Sequence, residues 1–333
     1  MEKENPFVKQ FPGLLKGKKL LYVHGFGSSG QSGTVRRLRT VFPSATVIAP
    51  DLPLHPGEAI GLLRQVCADE QPDLILGTSM GGMYAEQLRG FDRICTNPAL
   101  CIADTMQQHG LTGTQEYQNP RQDGVQQFYV DKALVKEYRQ VSEQRFAGLD
   151  NADRQRVYGL FGDKDTLVDT FALFHEHYPQ AISFHGEHRM DDRSFMHSVL
   201  PVIRWIDDRQ EHRERPIIYI GIETLQDARQ MPSASSQKAV RRLIENYQVY
   251  FVSPAASSCP DDYAAITAWL QEYVNVPAWG HTVFTNQRHL LYGDYLIEAA
   301  ASPEAMATSI LFGSDTFKTW EDILEYFDRL GGQ

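Results

Sequence analysis

Short apolar runs with the character of buried strands alternate with amphipathic segments upstream of residue 207. These runs lie at residues 20–23, 46–48, 74–76, 94–96, 157–161 and 181–184. Parallel neighbouring strands need a long crossover connection, which is usually a helix. The alternation therefore predicts an α/β fold, in which a parallel sheet is flanked by helices.

Residues 101–150 interrupt this alternation because they are polar and helix-like, without an apparent strand. We expect them to form a helical lid, inserted over an active site between the strands at 94–96 and 157–161. Further downstream, strand-like runs at 217–220 and 249–252 predict a second α/β domain with a Rossmann-like sheet.

The boundary between the two predicted domains lies in the strongest charge run of the chain. This run is DDRQEHRER at residues 207–215, and Pro216 follows it. Such a run is typical of a solvated helix end that leads into a linker. We therefore expect a first domain over residues 1–210 and a second over residues 216–333.

Composition limits the classes of function. The 42 acidic and 32 basic residues give a formal net charge of −10, which argues against a general nucleic-acid or anionic-membrane binder. There is no long uncharged apolar run, and the N-terminal residues lack the apolar core of a signal peptide. The cysteines, expected to be reduced, lack a paired metal-ligand spacing; they are Cys67, Cys95, Cys101 and Cys259. These features predict a cytoplasmic enzyme or binding protein.

The segment LILGTSMGGMYAEQL places a Gly-x-Ser-x-Gly pentapeptide between a strand-like run and helix-favouring residues. A serine in this context sits at a sharp, strained turn between strand and helix. Its flanking glycines, here Gly77 and Gly81, are needed because larger side chains would collide with neighbouring backbone. Ser79 is therefore the candidate nucleophile.

Two further residue types are needed, a base for the serine and an acid that orients the base. In α/β-hydrolases they follow in the chain order Ser, acid, His, each at the carboxyl end of a strand. Asp165 follows the run at 157–161, with Asp163 as the alternative acid or either aspartate as a helix cap. His188 follows the run at 181–184, with His185 and His197 as alternative bases.

Two backbone N–H groups are expected to stabilise the oxyanion. One belongs to the residue after the nucleophile, Met80, and the other to the loop after the first strand, where Phe26 is the expected donor. His24 in the same loop is expected to be a structural support. The Gly/Ser-rich stretch that ends at Gly33 lacks the Lys-Ser/Thr ending of a P-loop, so it does not predict a nucleotide site.

The motifs YVHGFGSSGQSGTVRRLR, VIAPDLP, GTSMGGMYAEQL, TNPAL and GEHRM resemble the YqiA-like esterases of the α/β-hydrolase superfamily, over about residues 18–207. The resemblance implies hydrolysis of acyl esters or thioesters without a metal or organic cofactor. It also implies that Ser79 is the nucleophile, Asp165 the acid and His188 the base. Residues 101–150 loosely match the helical insertion of that family, where the resemblance puts substrate choice.

Downstream, GDYLIEA, FGS and TFKTWEDILEYF resemble the 5′-nucleotidase-like members of the haloacid-dehalogenase superfamily. That family uses an Asp-x-Asp motif, in which the first aspartate attacks phosphorus. Gly221 and Glu223 stand in these two places here, and Glu298–Ala299 replaces a metal-binding aspartate pair. The resemblance implies a degenerate site. Its residues are Gly221, Glu223, Ser253, Arg288, Asp294 and Glu298.

The expected function is a serine hydrolase that cleaves small acyl esters or thioesters, joined to a non-catalytic phosphatase-like domain. One alternative is a bifunctional esterase and phosphatase acting on a nucleotide-like phosphate ester. Gly221 argues against it, because glycine cannot form a phosphoryl-enzyme bond. The other is a non-enzymatic ligand- or partner-binding protein, against which the ordered serine, acid and histidine argue. We expect no nucleic-acid or membrane partner. If the protein binds a protein partner or forms an oligomer, we expect the contact to involve the second domain.

Overall fold

The computed structural model describes residues 13–227, 229–255 and 261–330. Within it the chain divides into two compact units, which are described separately below. The first unit consists of the residues up to Ile182 together with Gly186–Asp191. The second consists of Ser183–His185 together with the residues from Asp192 onward.

In the part of the chain before residue 185, six strands form one sheet in the order β2-β1-β3-β4-β7-β8. The pairings of β1 with β2 and β3, and of β4 with β3 and β7, are parallel. Its strands are β1 (Lys19–Val23), β2 (Thr46–Ile48), β3 (Leu74–Thr78), β4 (Arg93–Thr96), β7 (Val157–Gly162) and β8 (Ala181–Phe184). The sequence prediction of an α/β fold with a parallel sheet is confirmed.

Helices follow most strands of this sheet, and the three longest bury one apolar face each. The helix Lys132–Ser142 is representative: the Asp131 carboxylate accepts the Leu134 N–H at its start, and Val135 and Tyr138 are buried. The helices of this part are Gly33–Val41, Pro56–Glu70, Met80–Glu86, Ile102–Gln108, Lys132–Ser142, Asn151–Arg154 and Phe171–His175.

Residues 101–150 contain the expected helices, Ile102–Gln108 and Lys132–Ser142, but the expectation that they lack strands is wrong. Between two helices the chain forms an antiparallel hairpin of β5 (Gly113–Glu116) and β6 (Gln127–Val130). In β6 the side chains alternate, with Phe128 and Val130 buried and their neighbours exposed. This period of two is the strand signal. The high polarity of the outward-facing residues conceals it when the segment is judged by its average composition.

The second unit contains a five-stranded sheet in the order β11-β10-β9-β12-β13, and every one of its pairings is parallel. The strands are β9 (Ile217–Gly221), β10 (Gln248–Ser253), β11 (Thr282–Phe284), β12 (Tyr295–Glu298) and β13 (Thr308–Leu311). The predicted second α/β domain is therefore present.

Helical segments of three kinds accompany this second sheet. The α-helices are Asp192–Ser194, Leu200–Gln210, Ala234–Asn246, Asp261–Trp269 and Trp320–Arg329. The π-helical segments are Phe195–Val199 and Leu270–Val274, and the 3₁₀ segments are Ile222–Thr224 and Arg288–Leu290. Across the described parts of both units, no helix has the length and apolar character needed to span a membrane.

The helix Leu200–Gln210 groups with the second unit, although the sequence places it at the end of the first domain. Two contacts account for the grouping. The Arg204 guanidinium donates to the Ile244 carbonyl, and the Trp205 ring stacks on His281 with 4.0 Å between centroids. The domain boundary that the sequence places between residues 210 and 216 therefore stays a prediction.

The charge run at 207–215 differs in part from its expected solvated state. Asp207 is completely buried and pairs with Arg213 at 2.6 Å. Asp208 pairs with Arg215 at 2.8 Å. Paired charges can be buried where isolated ones cannot. Because the run contains both acidic and basic residues, its aspartates can be buried as ion pairs with its arginines.

Candidate active site

Ser79 occupies a strained turn between β3 and the helix Met80–Glu86. Its backbone dihedrals are φ 57° and ψ −120°, a region that L-residues with a side chain rarely adopt. The Ser79 N–H donates to the Thr96 carbonyl of the neighbouring strand at 2.9 Å, which ties the turn to the sheet. Strain of this kind is typical of functional positions, where the surrounding structure holds it in place.

Two glycines make this turn sterically possible. A Cβ atom on Gly77 would lie 2.3 Å from the Gly81 carbonyl oxygen. A Cβ on Gly81 would lie 2.0 Å from the carbonyl oxygen of Val23, the last residue of β1. Because both obstacles are backbone atoms, a larger residue at either position requires the main chain to move.

The structure brings Ser79, His188 and Asp165 together in one hydrogen-bonded relay. The His188 Nε2 lies 3.0 Å from the Ser79 Oγ, and the His188 Nδ1 lies 2.7 Å from the Asp165 Oδ2. The other carboxylate oxygen of Asp165 accepts the N–H groups of Leu167 and Val168, at 2.8 and 3.0 Å. Asp165 therefore orients the imidazole with one oxygen and closes its own turn with the other.

Asp165 is held in its ionised form. Burial raises the pKa of this carboxyl, but the hydrogen bonds from His188, Leu167 and Val168 more than offset burial, so the pKa is lowered from its ordinary value. Because an ionised carboxylate can only accept, the Nδ1 of His188 must carry the proton. The Nε2 is then free to accept the proton of the Ser79 hydroxyl.

The alternative acid, Asp163, and the alternative bases, His185 and His197, have other positions and contacts. Asp163 accepts the Gly186 N–H at 3.0 Å and thereby fixes the loop that leads to His188. His185 and His197 both group with the second unit. His197 lies in the π-helical segment Phe195–Val199, in agreement with its helical appearance in the sequence.

The loop after β1 lies directly against the serine. A Cβ on Gly25 would be 3.3 Å from the Cβ of Ser79, so the next residue, Phe26, is beside the turn. Among the described residues, the backbone N–H groups of Phe26 and Met80 have no hydrogen-bond partner. Two unpaired N–H groups at this turn are what an oxyanion site requires.

His24 supports this loop from inside the protein, as expected. The side chain is buried, and its Nε2 accepts the Leu52 N–H at 3.1 Å while its Nδ1 lies 2.9 Å from the Gly25 carbonyl oxygen. Burial lowers the pKa of His24. The ring is therefore neutral, with the Nδ1 proton donated to Gly25, and it fixes the residue that precedes Phe26.

Asn97 has a supporting role that the sequence analysis did not identify. Its amide nitrogen donates to the carbonyls of Glu187 and His188 at 3.1 and 3.0 Å. Its amide oxygen accepts the N–H of Gly162, the last residue of β7, at 2.7 Å. Asn97 thus joins the loop of the base to the strand that precedes the acid. Its position directly after β4, at the same sheet edge as Ser79, is the signal that could have identified it.

Ser79 and His188 open into a cleft of about 800 Å³. Its apolar lining residues are Phe26, Leu111, Leu167, Val168 and Met190. Its polar and basic lining residues include Arg37, His109, Gln118, Asn119 and Arg189. A cleft of this size beside a reactive group suits a small organic substrate.

In the second unit, three of the predicted residues lie at the carboxyl edge of the sheet. Gly221 ends β9, Ser253 ends β10 and Glu298 ends β12. The register pairs Gly221 with Val252, so Gly221 and Ser253 are neighbours across the sheet. Ser253 is buried, and its hydroxyl lies 3.3 Å from the Pro254 carbonyl oxygen.

Arg288 lies between two carboxylates at this edge. Its guanidinium is 2.8 Å from a Glu223 oxygen and 3.5 Å from a Glu298 oxygen. Glu298 is fully buried and also accepts from the Ser302 N–H, the Ser302 hydroxyl and the Ser309 hydroxyl, at 2.7 to 2.9 Å. These contacts satisfy the charged groups internally.

Asp294 does not belong to this group, contrary to expectation. Its carboxylate accepts the N–H of Ile217, the first residue of β9, at 2.7 Å. Gly221 is at the opposite end of the same strand, and a strand rises about 3.3 Å per residue. Asp294 therefore closes the amino end of the sheet and cannot share a ligand with Gly221.

No cluster of three or more His, Cys, Asp or Glu side chains suited to a metal ion occurs within the described ranges. Cys67, Cys95 and Cys101 are free thiols, and Cys259 lies outside those ranges. Burial raises the pKa of Cys95 to about 12, which keeps that thiol protonated.

Solved structures and curated proteins show limited likeness. Est1E from Butyrivibrio proteoclasticus has a TM-score of 0.39 and 16% identity, covering 59% of this chain and 88% of that chain. A monoacylglycerol lipase from Paleococcus ferrophilus has a TM-score of 0.37 and 14% identity, covering 57% of this chain and 94% of that chain. At these TM-scores the likeness carries no argument about activity.

A Staphylococcus aureus protein named as a 5′(3′)-deoxyribonucleotidase is 30% identical over 110 residues. A protein of Vibrio phage KVP40 with the same name is 24% identical over 102 residues. The matches take in 29% and 30% of this chain, and 58% and 60% of the two relatives. This chain therefore spans less than two thirds of the curated relatives it matches.

One comparison covers more than half of the chain. The model of the family described as Uncharacterised protein family (UPF0227) matches residues 19–203 of the 333. The match includes β1, the serine turn and the residues of the relay, and it covers nearly all of the stretch that resembles the YqiA-like esterases. The chain belongs to the UPF0227 family.

Proposed function

We propose that this protein is a serine hydrolase that cleaves small acyl esters or thioesters through an acyl-enzyme on Ser79. The observation that carries the proposal is the relay of Ser79, His188 and Asp165, with contacts of 3.0 and 2.7 Å beside an open cleft. Binding alone needs no such ordered relay, whereas nucleophilic catalysis by a serine does.

In the acylation step the Ser79 Oγ attacks the acyl carbon while the His188 Nε2 takes the hydroxyl proton. The electron pair of the carbonyl double bond moves onto its oxygen, which becomes the oxyanion. Collapse of this intermediate expels the alcohol or thiol, which takes the proton from His188 as it leaves. Asp165 stabilises the transient imidazolium and holds its orientation.

Deacylation repeats these roles with water as the nucleophile. His188 takes a proton from the water as its oxygen attacks the acyl carbon of the ester on Ser79. When the second intermediate collapses, the carboxylic acid leaves and His188 returns the proton to the Ser79 Oγ. In both steps the N–H groups of Phe26 and Met80 donate to the oxyanion.

The test is labelling by a fluorophosphonate, which reacts with activated serines and requires no knowledge of the substrate. We expect the wild type to be labelled and Ser79→Ala to remain unlabelled. Hydrolysis of 4-nitrophenyl butyrate should fall by several orders of magnitude in the same variant, as loss of a triad nucleophile generally causes. Equal hydrolysis by the two proteins would refute the proposal.

For the second unit we propose a non-catalytic, haloacid-dehalogenase-like domain. The relatives named as deoxyribonucleotidases favour the phosphatase-like ancestry. The chemistry of its sheet edge argues against activity, because Gly221 offers no nucleophile and Arg288 is already paired with Glu223. A packing or partner-docking role remains for this domain.

A further inference from the structure

The cleft beside Ser79 differs in charge from the protein as a whole. The chain carries 42 acidic and 32 basic residues. The described residues that line the cleft include Arg37, His109 and Arg189, and none of them is an aspartate or glutamate. A cleft lined by one sign of charge focuses its potential and concentrates ligands of the opposite sign. The positive charge of the lining is therefore specific to the cleft, because the chain as a whole is acidic.

Arg189 is the basic residue nearest to the reacting groups along the chain, since it directly follows His188. Consecutive Cα atoms are about 3.8 Å apart. Its Nη2 donates to the Gln118 side-chain oxygen at 3.0 Å, and the Gln118 N–H donates to the Gly27 carbonyl at 2.7 Å. The guanidinium is thus directed towards the loop that contains the oxyanion donor Phe26.

The contacts of Arg189 leave it able to bind a ligand. Gln118 is a neutral partner, so its hydrogen bond orients the guanidinium without neutralising it. A guanidinium has five N–H donors in a planar fork that matches a carboxylate or phosphate. The side chain is exposed at the cleft.

Arg37 supplies a second positive charge to the same cleft. It belongs to the helix Gly33–Val41, and its Nη1 donates to the Met190 carbonyl at 3.3 Å. Met190 directly follows Arg189, so this contact ties the helix to the segment that contains both His188 and Arg189. The two arginines enter the cleft from different parts of the chain.

We infer that the physiological substrate is an anionic ester or thioester, whose carboxylate or phosphate group binds at Arg189 with help from Arg37. This inference rests on the proposed function, and it names the substrate class. Because Arg189 lines the same cleft as Ser79 and His188, the anionic group binds in the cleft that receives the scissile bond. The anion belongs either to the acyl part or to the leaving group, and in both cases the shared chemistry is an anion beside the reacting carbonyl.

The experiment compares matched anionic and neutral esters by kcat/KM, after subtraction of the uncatalysed rate. For the acyl side, 4-nitrophenyl hydrogen glutarate is compared with 4-nitrophenyl valerate, which has a chain of the same length and the same leaving group. For the leaving-group side, 4-acetoxybenzoate is compared with its methyl ester. We expect the wild type to prefer the anionic ester in one of these two pairs, and that pair identifies the side.

Arg189→Met should lower the ratio of anionic to neutral kcat/KM by about tenfold in that pair, because a charge-assisted pair is lost. Arg189→Lys should retain part of the preference. Arg64→Met is the matched control, since it removes the same charge from an exposed position outside the cleft, and it should leave the ratio unchanged.

Several results would overturn the inference. One is Ser79-dependent hydrolysis without preference in either pair, which leaves the proposed function intact. Another is an equal loss of preference in Arg64→Met and Arg189→Met, because overall charge would then explain the effect. A wild type inert towards all these esters and towards fluorophosphonate would overturn the proposed function and this inference together.

Discussion

Replacing Asp165 with asparagine tests the relay at its most informative point, because the two oxygens of this carboxylate have different partners. One oxygen accepts from Leu167 and Val168, and the other accepts from the Nδ1 of His188. An asparagine keeps its carbonyl oxygen on the two backbone donors, since its NH₂ group cannot accept from them. The NH₂ group therefore faces His188.

The consequence falls on the tautomer of the imidazole. Facing an NH₂ donor, the Nδ1 of His188 must accept, so the proton moves to Nε2. That nitrogen lies 3.0 Å from the Ser79 Oγ and can then no longer take the hydroxyl proton. Loss of the correct tautomer lowers turnover by about 10⁴-fold, or about 5.4 kcal/mol in the activation barrier.

The assay is steady-state hydrolysis of 4-nitrophenyl butyrate, with circular dichroism to verify that the variant is folded. Asp163→Asn is the matched control, because it makes the same change two residues away, at a carboxylate that accepts the Gly186 N–H at 3.0 Å. An amide oxygen can retain that bond, so turnover should fall by less than about tenfold. A folded Asp165→Asn protein with more than a tenth of wild-type turnover would refute the assignment, and the reverse ranking would transfer the role to Asp163.

Three further predictions concern other parts of the chain. Asn97→Ala should lower both kcat and the rate of fluorophosphonate labelling by about 10- to 100-fold, because the loops of the base and the acid lose their shared anchor; an unchanged kcat would contradict this role. Asp153→Asn should destabilise the protein by about 3–5 kcal/mol in urea unfolding, since it leaves the fully buried Arg93 without its partner at 2.5 Å. Burial raises the pKa of Asp153, but the hydrogen bond from Gly90 and the charge and hydrogen bond of Arg93 outweigh burial, so the pKa lies below its ordinary value. The wild type should therefore lose this stability as pH falls below about 4, and the asparagine variant should not. Magnesium-dependent phosphate release from nucleoside monophosphates should not exceed the blank, and release abolished by Glu223→Gln would show that the second unit is active.

All six strands of the first sheet, and β9 and β10 of the second, were predicted from short, mostly apolar runs that include no charged side chain in their centre. β11, β12 and β13 were not predicted as strands, and β11 and β13 are only partly buried. The observed strands extend the predicted ones by one or two residues at most, as with β3, which continues through Gly77 and Thr78. The hairpin of β5 and β6 could not be predicted from average polarity, since alternate side chains of both strands are exposed and only Phe128 and Val130 of β6 are buried. Long-range pairing across a sheet is what decides such segments.

The relay residues could be proposed from the chain because parallel strands bring their carboxyl ends to one edge. The sequence alone does not show which of two neighbouring candidates has the role. Asp163 and Asp165 are separated by one residue, and only their partners, Gly186 and His188, distinguish them. Asn97 was missed for the same reason, because its function lies in contacts to residues about 65 and 91 positions away.

The close approach of the Glu223 carboxylate to Gly221 affects which substitutions the carboxyl edge of the second sheet can accept. A Cβ on Gly221 would lie 2.3 Å from the Glu223 carboxylate oxygen that binds Arg288. A side chain acquired at position 221 therefore requires the Glu223 carboxylate to shift, and because this carboxylate is the end of a flexible, partly exposed side chain, the shift disturbs its pairing with Arg288 at low cost. A shorter residue at position 223 would remove the overlap without this shift. We expect the two positions to vary together among relatives, with a side chain at 221 accompanied by a residue shorter than glutamate at 223.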